Sequence, residues 1–234
     1  GKKAVKQQEA SLSFRLRSIV YDAAYVAHVR RLLKGWPMIA NLRCGLWYAA
    51  GFDDTCYFKS TDGHVNQWQW SIQRLNLHVA LHAARSGGCL LVDSTRRGKQ
   101  YPDSFSRTVP IWCCVLNRVV YEHSLKGMLV SDEASSSAVD RQEIAQMWNQ
   151  LSMPPWISEM ECSEVEKRIP GFVERTLTSG ADLTTLCELV KKPLRPMWTN
   201  PCSQIWDESN SPVHQDLPFS AVVCVSVSFQ RDGH

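Results

Sequence analysis

The order of apolar and polar residues along the chain predicts helices and strands that follow one another in turn. Apolar residues recur at helical spacing in six segments that end near glycine, proline or polar clusters. These predicted helices are residues 14–33, 72–85, 108–116, 140–151, 158–177 and 182–190. Thr108 is expected to cap the third of them, with Pro110 in its first turn, and the apolar residues that follow predict a buried helix.

Short apolar runs between these helices predict strands at residues 56–58, 89–92 and 221–227. Pro193, Pro196 and Pro201 are expected to break up the stretch before the last strand. Strands that alternate with helices indicate an α/β fold. We therefore predict a central mixed sheet flanked by helices, with a more helical C-terminal half.

Composition also divides the chain along its length. Residues 1–13 are expected to form a basic flexible tail, and residues 131–139 have the small, polar composition of a linker. Between them we predict an α/β core over residues 14–130. Residues 140–234 are expected to form a helical extension whose late strand returns to the core sheet.

Charge is distributed unevenly, although the net charge is only +3. Residues 1–118 contain 17 Lys and Arg against 7 Asp and Glu, whereas residues 119–234 contain 9 against 16. A basic half of this size attracts polyanions through counterion release, so a nucleic acid or a heavily phosphorylated ligand is the expected partner. The alternative is that the basic and acidic halves pack against each other.

The nine cysteines include no CxxC pair and no regular framework. Several lie inside apolar runs, so we expect reduced core thiols in a cytosolic or nuclear protein. No apolar run approaches the roughly 20 residues that span a bilayer, and the N-terminal segment lacks the apolar core of a secretion signal. These features predict a cytoplasmic protein with no membrane partner.

The end of the strand at residues 89–92 is the first candidate site. A carboxylate, two hydroxyls, three cations and a glycine follow it, in the order Asp93, Ser94, Thr95, Arg96, Arg97, Gly98 and Lys99. Ligands of open α/β sheets gather at the carboxyl ends of strands. Arg offers a planar fork to phosphate oxygens, Lys a point charge, and Ser or Thr neutral donors. The segment predicts a phosphate site, with a basic surface loop as the alternative.

A second strand end repeats this chemistry. The strand at residues 56–58 leads into Lys59, Ser60, Thr61, Asp62, Gly63 and His64. This loop supplies a cation, two hydroxyls, a carboxylate and an imidazole. Two such loops in one small domain strengthen the prediction of an anion site.

Two other spacings carry little weight. His78 and His82 lie four residues apart, but no HExxH pattern accompanies them, so packed or exposed histidines are expected rather than a metal site. Cys162 and Arg168 have the spacing of a thiol phosphatase loop. The residues between them are acidic and glycine-free, which makes the spacing a coincidence.

Five long and uncommon segments resemble the initiator-tRNA phosphoribosyl transferase family: residues 41–48, 57–64, 74–78, 88–99 and 108–113. The resemblance implies transfer of a 5-phosphoribosyl group from phosphoribosyl diphosphate to a ribose 2′-hydroxyl of initiator tRNA. That mark would exclude the tRNA from elongation in translation. Family members usually carry a further phosphatase-like C-terminal domain. Nothing here resembles its signature loop, so we expect that domain to be missing from this chain.

With this resemblance, roles can be suggested for the two loops. Binding of the donor phosphates is assigned to Ser94, Thr95, Arg96, Arg97, Gly98 and Lys99. Lys59 and Arg43 are assigned as helpers in this binding. Asp93, expected at the mouth of the sheet beside these cations, is assigned to Mg²⁺, which usually takes one or two carboxylates plus substrate phosphates. In the alternative, Asp93 is a structural anchor. Asp62 or His64 is the candidate general base.

The RNA would be held by basic residues of the first segments, which are Arg15, Arg17, Arg30 and Arg31. Two other functions fit the sequence. One is a non-catalytic tRNA-binding module in which the donor loop is vestigial, and the other is a phosphatase-like hydrolase. Donor-dependent labelling of tRNA separates the transferase from both.

Overall fold

The computed structural model describes residues 18–43, 45–63, 66–95, 99–125, 138–203, 206–207 and 209–227. Its centre is a sheet built from β1 (Met38–Asn41), β2 (Asp54–Cys56), β3 (Gly88–Ser94), β4 (Leu194–Thr199) and β5 (Ser220–Val227). The strand order is β2-β1-β3-β5-β4, and every pairing among these strands is parallel. The predicted α/β fold with a central sheet is confirmed. The described sheet is parallel rather than mixed.

Burial on both faces explains the composition of the two central strands. Every residue of β3 and β5 is buried, and both strands read as nearly continuous apolar runs. They pair in register from Gly88 opposite Ala221 to Ser94 opposite Val227. Because the strands are parallel, their carboxyl ends reach the same edge of the sheet.

Helices cover both faces of this sheet. They are α1 (residues 18–32), α2 (Leu77–Ser86), α3 (Val109–Val120), α4 (Ala138–Asn149), α5 (Glu159–Glu166), α6 (Ile169–Leu177) and α7 (Thr184–Leu189). Successive strand residues point to opposite faces. Leu91 and Cys224 accordingly pack in one core cluster with α2 and α3, whereas Leu90 and Val223 pack in another with α1.

The buried apolar helix is confirmed as α3, of whose twelve residues eleven are buried. Thr108 does not cap it, because its backbone is already helical (φ −62°, ψ −47°). The chain enters α3 through a preceding helical turn, Ser104–Thr108, and Pro110 stands in the first turn of α3 as predicted. The Thr108 hydroxyl instead donates to the Lys59 carbonyl at 3.1 Å, which ties α3 to the loop after β2.

The proline-rich stretch before the last strand is not broken up as predicted. It forms β4, with Pro196 near its middle. Among the described strands β4 pairs with β5 alone, so it lies at the edge of the sheet. An edge strand has one side without a ladder, which is why it tolerates a residue that lacks an N–H.

Other boundaries differ from the predictions in smaller ways. The helix predicted over residues 158–177 is two helices, α5 and α6, because the chain turns at Lys167 and Arg168. The helix predicted over residues 72–85 starts as a 3-10 turn, Ile72–Arg74, and continues as α2. The strand predicted at residues 56–58 lies slightly earlier, as β2. The helices near residues 140–151 and 182–190 and the strand at 221–227 are confirmed.

The cysteines of the described core are free thiols: Cys56, Cys89, Cys113, Cys114, Cys187 and Cys224. Burial raises the pKa of the Cys89 thiol to about 12, so this thiol stays protonated at neutral pH. Within the described ranges, no helix has both the length and the apolar character needed to cross a bilayer. The tail at residues 1–13 and the linker residues 131–137 lie outside those ranges, so the division into units stays a prediction.

Candidate active site

Asn41 joins three strand ends at the carboxyl edge of the sheet. It is the last residue of β1, and its Nδ2 donates to the Asp93 carboxylate at 2.8 Å and to the Phe58 carbonyl at 3.0 Å. Its Oδ1 accepts from the Phe58 N–H at 2.9 Å. One buried side chain therefore holds the ends of β1 and β3 and the segment after β2 in a fixed arrangement.

Asp93 is the centre of this arrangement and has no exposed surface. Its Oδ2 accepts from Asn41 and, at 2.9 Å, from the Ser104 hydroxyl, and its Oδ1 accepts from the Ser94 N–H at 2.8 Å. Arg43 Nε lies 3.6 Å from Oδ2. Burial raises the pKa of Asp93, and Arg43 and the hydrogen-bond donors oppose that shift. This environment supports the anchor role for Asp93.

The cation beside Asp93 among the described residues is not the one expected. Lys99 reaches Asp103 instead, with Nζ 3.0 Å from Oδ1 and 3.1 Å from Oδ2. Arg96, Arg97 and Gly98 lie outside the described residues, so their assignment to donor phosphates stays a prediction. Arg43, proposed only as a helper, is the group whose positive charge faces the Asp93 carboxylate.

Arg43 also connects the two predicted loops. Its guanidinium Nη1 donates to the Ser60 hydroxyl, while its Nε faces Asp93. Lys59, the residue before Ser60, is exposed, and its carbonyl accepts from Thr108 at the start of α3. One guanidinium therefore contacts both strand ends, at Ser60 and at Asp93.

The carboxylate of Asp62, one of the two candidate bases, forms an ion pair with an arginine. Arg74 Nη2 donates to both of its carboxylate oxygens, at 3.2 and 2.9 Å, and only 8% of Asp62 is exposed. Asp62 would have to release this partner before it accepts a proton from a substrate. His64, the other candidate, lies outside the described residues. The identity of the base stays a prediction.

Thr95 offers the one orphaned hydroxyl that the described part of this edge contains. Its N–H donates to the Val227 carbonyl at 2.9 Å, so its backbone is held between β3 and β5. Its Oγ1 is buried and has no hydrogen-bond partner among the described residues. A buried hydroxyl without a partner is unfavourable, so a ligand oxygen placed there would gain a hydrogen bond at little further expense.

Of the four predicted RNA-binding arginines, the structure describes Arg30 and Arg31, and neither has a described contact with the Asp93 cluster. Arg30 donates to the Gly51 carbonyl and lies 3.6 Å from Asp53, whose backbone bonds the start of β1. Arg30 is therefore near the amino edge of the sheet. Arg31 bonds His28 at 3.1 Å and lines an open cleft of about 540 Å³ between α1 and the segment after β4. Arg15 and Arg17 lie outside the described residues.

Comparison with known families identifies the family of this chain. Residues 5–234 match the family described as the Rit1 N-terminal domain. The chain belongs to that family. The resemblance inferred from the five sequence segments is therefore confirmed at the level of the Rit1 N-terminal domain.

Two curated relatives extend the comparison. The chain is 38% identical over 213 residues to the tRNA A64-2′-O-ribosylphosphate transferase of Saccharomyces cerevisiae, covering 88% of this chain and 38% of the relative. It is 36% identical over 197 residues to an uncharacterized protein of Schizosaccharomyces pombe, covering 82% and 39% respectively. The chain thus spans about two-fifths of the length of both relatives. No solved structure matches it significantly.

Magnesium does not fit the described residues of this Rit1 domain. Both oxygens of Asp93 are engaged and buried, and among the described residues no three His, Cys, Asp or Glu side chains are grouped as metal ligands would be. The described residues therefore give no support to the assignment of Mg²⁺ to Asp93, which stays a prediction. His78 and His82 are packed histidines, bonded to Thr55 and Asp54 of β2 at 2.9 and 3.0 Å.

Sequence analysis missed a row of ion pairs that leads away from Lys99. Asp103 forms ion pairs with Lys99 and Arg107. Arg107 also donates hydrogen bonds to the carboxylate of Glu161 in α5, at 2.5 and 3.1 Å. Burial opposes ionisation of Glu161, but hydrogen bonds from Arg107 and Trp68 outweigh it and lower its pKa. The i, i+4 spacing from Lys99 to Asp103 to Arg107 is a signal that could have revealed the first part of this row.

Proposed function

We propose that this domain binds phosphoribosyl diphosphate at the carboxyl edge of its sheet and takes part in transfer of the 5-phosphoribosyl group to initiator tRNA. The observation that carries the proposal is that Arg43 contacts both strand ends, Ser60 after β2 and the buried Asp93 of β3, whereas the buried hydroxyl of Thr95 has no described partner. The cation-rich residues 96–99 follow directly. The name of the Saccharomyces cerevisiae relative, a tRNA A64-2′-O-ribosylphosphate transferase, supports this choice of donor and acceptor.

In the proposed reaction the 2′-oxygen of a tRNA ribose forms a bond to the anomeric carbon of the donor. The bond from that carbon to the diphosphate oxygen breaks, and the diphosphate leaves with the bonding electrons. The proton of the hydroxyl passes to a base, for which Asp62 and His64 are candidates. The chain's part is to neutralise the leaving diphosphate and to place the two reactants.

The direct test is incubation of the protein with total tRNA and phosphoribosyl diphosphate labelled in its ribose. Label on one nucleotide of initiator tRNA supports the proposal. Donor binding without transfer would indicate that the described domain supplies the donor site alone and needs the remaining length of its relatives. RNA binding without donor binding would favour the tRNA-binding module, and release of inorganic phosphate from the donor would favour the hydrolase.

Donor affinity should depend on Lys99. Lys99→Ala is expected to weaken phosphoribosyl diphosphate binding by about 1–3 kcal/mol, the usual contribution of a hydrogen bond between charged groups. The matched control is Lys192→Ala, because Lys192 is also an exposed lysine paired with an aspartate, Asp216, but precedes β4 at the amino edge. Calorimetric titration compares the variants with the wild type. Equal affinity in all three proteins would remove Lys99 from the donor site.

RNA binding should weaken steeply as salt rises, since 17 Lys and Arg stand in residues 1–118. Arg31→Ala is expected to lower the slope of log affinity against log KCl concentration by about 1, as loss of one phosphate contact does. Arg175→Ala, an exposed arginine on α6, is the control and should leave the slope unchanged. An affinity for tRNA that does not change with salt concentration would show that the basic and acidic halves of the chain pair with each other and not with RNA.

A further inference from the structure

Trp156 is an exposed aromatic side chain whose orientation is fixed. Its ring lies parallel to that of Tyr101, with centroids 4.6 Å apart and an interplanar angle of 8°, and meets Trp198 edge-on at 5.7 Å. Its Nε1 donates to the buried Ser106 hydroxyl at 3.2 Å. Nevertheless 46% of Trp156 is exposed. The side chain of Trp156 is therefore fixed by its neighbours, although almost half of the residue is exposed to solvent.

The exposed part of Trp156 faces an open cleft of about 390 Å³. Lys99 and Arg107 line this cleft together with Asp103, with which both of them form ion pairs. Lys99 also closes the segment assigned to the donor phosphates. The cleft therefore adjoins the end of that segment at Lys99, and its volume lies within the roughly 300–1,000 Å³ of small-molecule sites.

A rigid ring beside cations suits one kind of ligand. Proteins that hold single-stranded nucleic acid combine a positive groove with aromatic rings on which bases stack. Tyr101 and Trp198 prevent the indole from collapsing onto the surface, so little side-chain entropy would be lost when a base arrives. The basic N-terminal half supplies the attraction for a backbone phosphate.

We propose that Trp156 stacks an unpaired nucleobase of RNA in this cleft, with Lys99 and Arg107 at its rim. The inference rests on the proposed function for the identity of the polymer and extends it by naming where one nucleotide is held. The stacking site adjoins the donor site and shares Lys99 with it, but it recognises a base, which phosphoribosyl diphosphate lacks. Contact with another protein segment is the competing use of the same surface.

The test compares two labelled single-stranded RNAs of equal length and charge, oligoadenylate and an oligomer without bases, in the absence of donor. Wild-type protein should bind the oligoadenylate at least about fivefold more tightly, the lower end of what one base–aromatic stack contributes. Trp156→Leu should remove most of this preference and leave the affinity for the abasic oligomer unchanged. Trp156→Phe, which keeps a ring, should retain part of the preference.

Trp47→Leu is the control, because Trp47 is 71% exposed on the turn after β1 and no stacked ring holds it among the described residues. It should keep the wild-type preference. Equal wild-type affinity for the two oligomers would overturn the stacking site and point to a protein contact at Trp156. Trp156→Leu should bind phosphoribosyl diphosphate with the same affinity as wild type. If wild-type protein does not bind phosphoribosyl diphosphate at all, that result counts against the proposed function and not against the stacking site.

Discussion

Asp93→Asn is expected to lower the free energy of unfolding by about 3–5 kcal/mol, as breaking a buried charge network does. The carboxylate is surrounded by donors, among them Asn41 Nδ2, Ser104 Oγ, the Ser94 N–H and the Arg43 guanidinium. An asparagine presents one acceptor oxygen and one NH₂ group, so either orientation sets donor against donor. Urea unfolding at neutral pH measures the change.

The matched control for this substitution is Asp216→Asn. Asp216 is paired with a lysine, Lys192, but its side chain is 96% exposed, so its loss should change stability by less than about 1 kcal/mol. A stability of Asp93→Asn within that same range would mean that the carboxylate is not the anchor of the strand ends.

Activity separates the two roles that the sequence left open for Asp93. If the carboxylate is an anchor, the residual transfer of Asp93→Asn should show the same Mg²⁺ dependence as wild type, at reduced affinity for the donor. If it organises a metal, the dependence should move to higher Mg²⁺ concentration while the fold is retained. The buried, fully engaged carboxylate supports the first outcome.

Gly45→Ala is expected to be as damaging, although it adds only one methyl group. A Cβ at residue 45 would lie 2.3 Å from the Val92 carbonyl oxygen and 3.2 Å from Ala40 Cα, both of them backbone atoms. The turn Gly45–Tyr48 would have to move away from β3, next to Asp93. We expect a loss of about 3 kcal/mol, the upper end of overpacking effects, together with weaker donor binding.

Gly171→Ala provides the opposite control. No atom stands within 4 Å of a Cβ at this position in α6, so replacing a helical glycine there should raise stability by up to about 1 kcal/mol. Urea unfolding of both variants gives the comparison. If Gly45→Ala were as stable as Gly171→Ala, the turn after β1 would not be packed on β3 in solution.

Local patterns predicted the fold and the position of the site. The buried run of β3 ends abruptly in polar residues, and the same change occurs after β2, so both strand ends were located from composition alone. The parallel sheet was less accessible. β1 and β2 are four and three residues long, too short for a clear pattern, and Pro196 concealed β4.

The partners within the site could not be predicted, because they depend on contacts between residues distant in sequence. Asn41 and Asp93 are 52 positions apart, and Asn41 had no signal beyond its place in a resembling segment. Lys99 was expected beside Asp93 but pairs with Asp103, whereas Arg43, from a distant segment, faces the carboxylate. The complete burial of Asp93 could not be predicted for the same reason, since Asn41, Arg43 and Ser104 come from different segments.

The pairing of β3 with β5 has a consequence for how the chain folds. Gly88 and Ala221 are adjacent in the sheet, so the central ladder closes a loop of more than a hundred residues. Closure entropy must be overcome before this ladder forms, which makes it a late and slow event. During synthesis β3 leaves the ribosome with its apolar edge unpaired until β5 follows. That interval is when the chain is most exposed to aggregation and most dependent on chaperones.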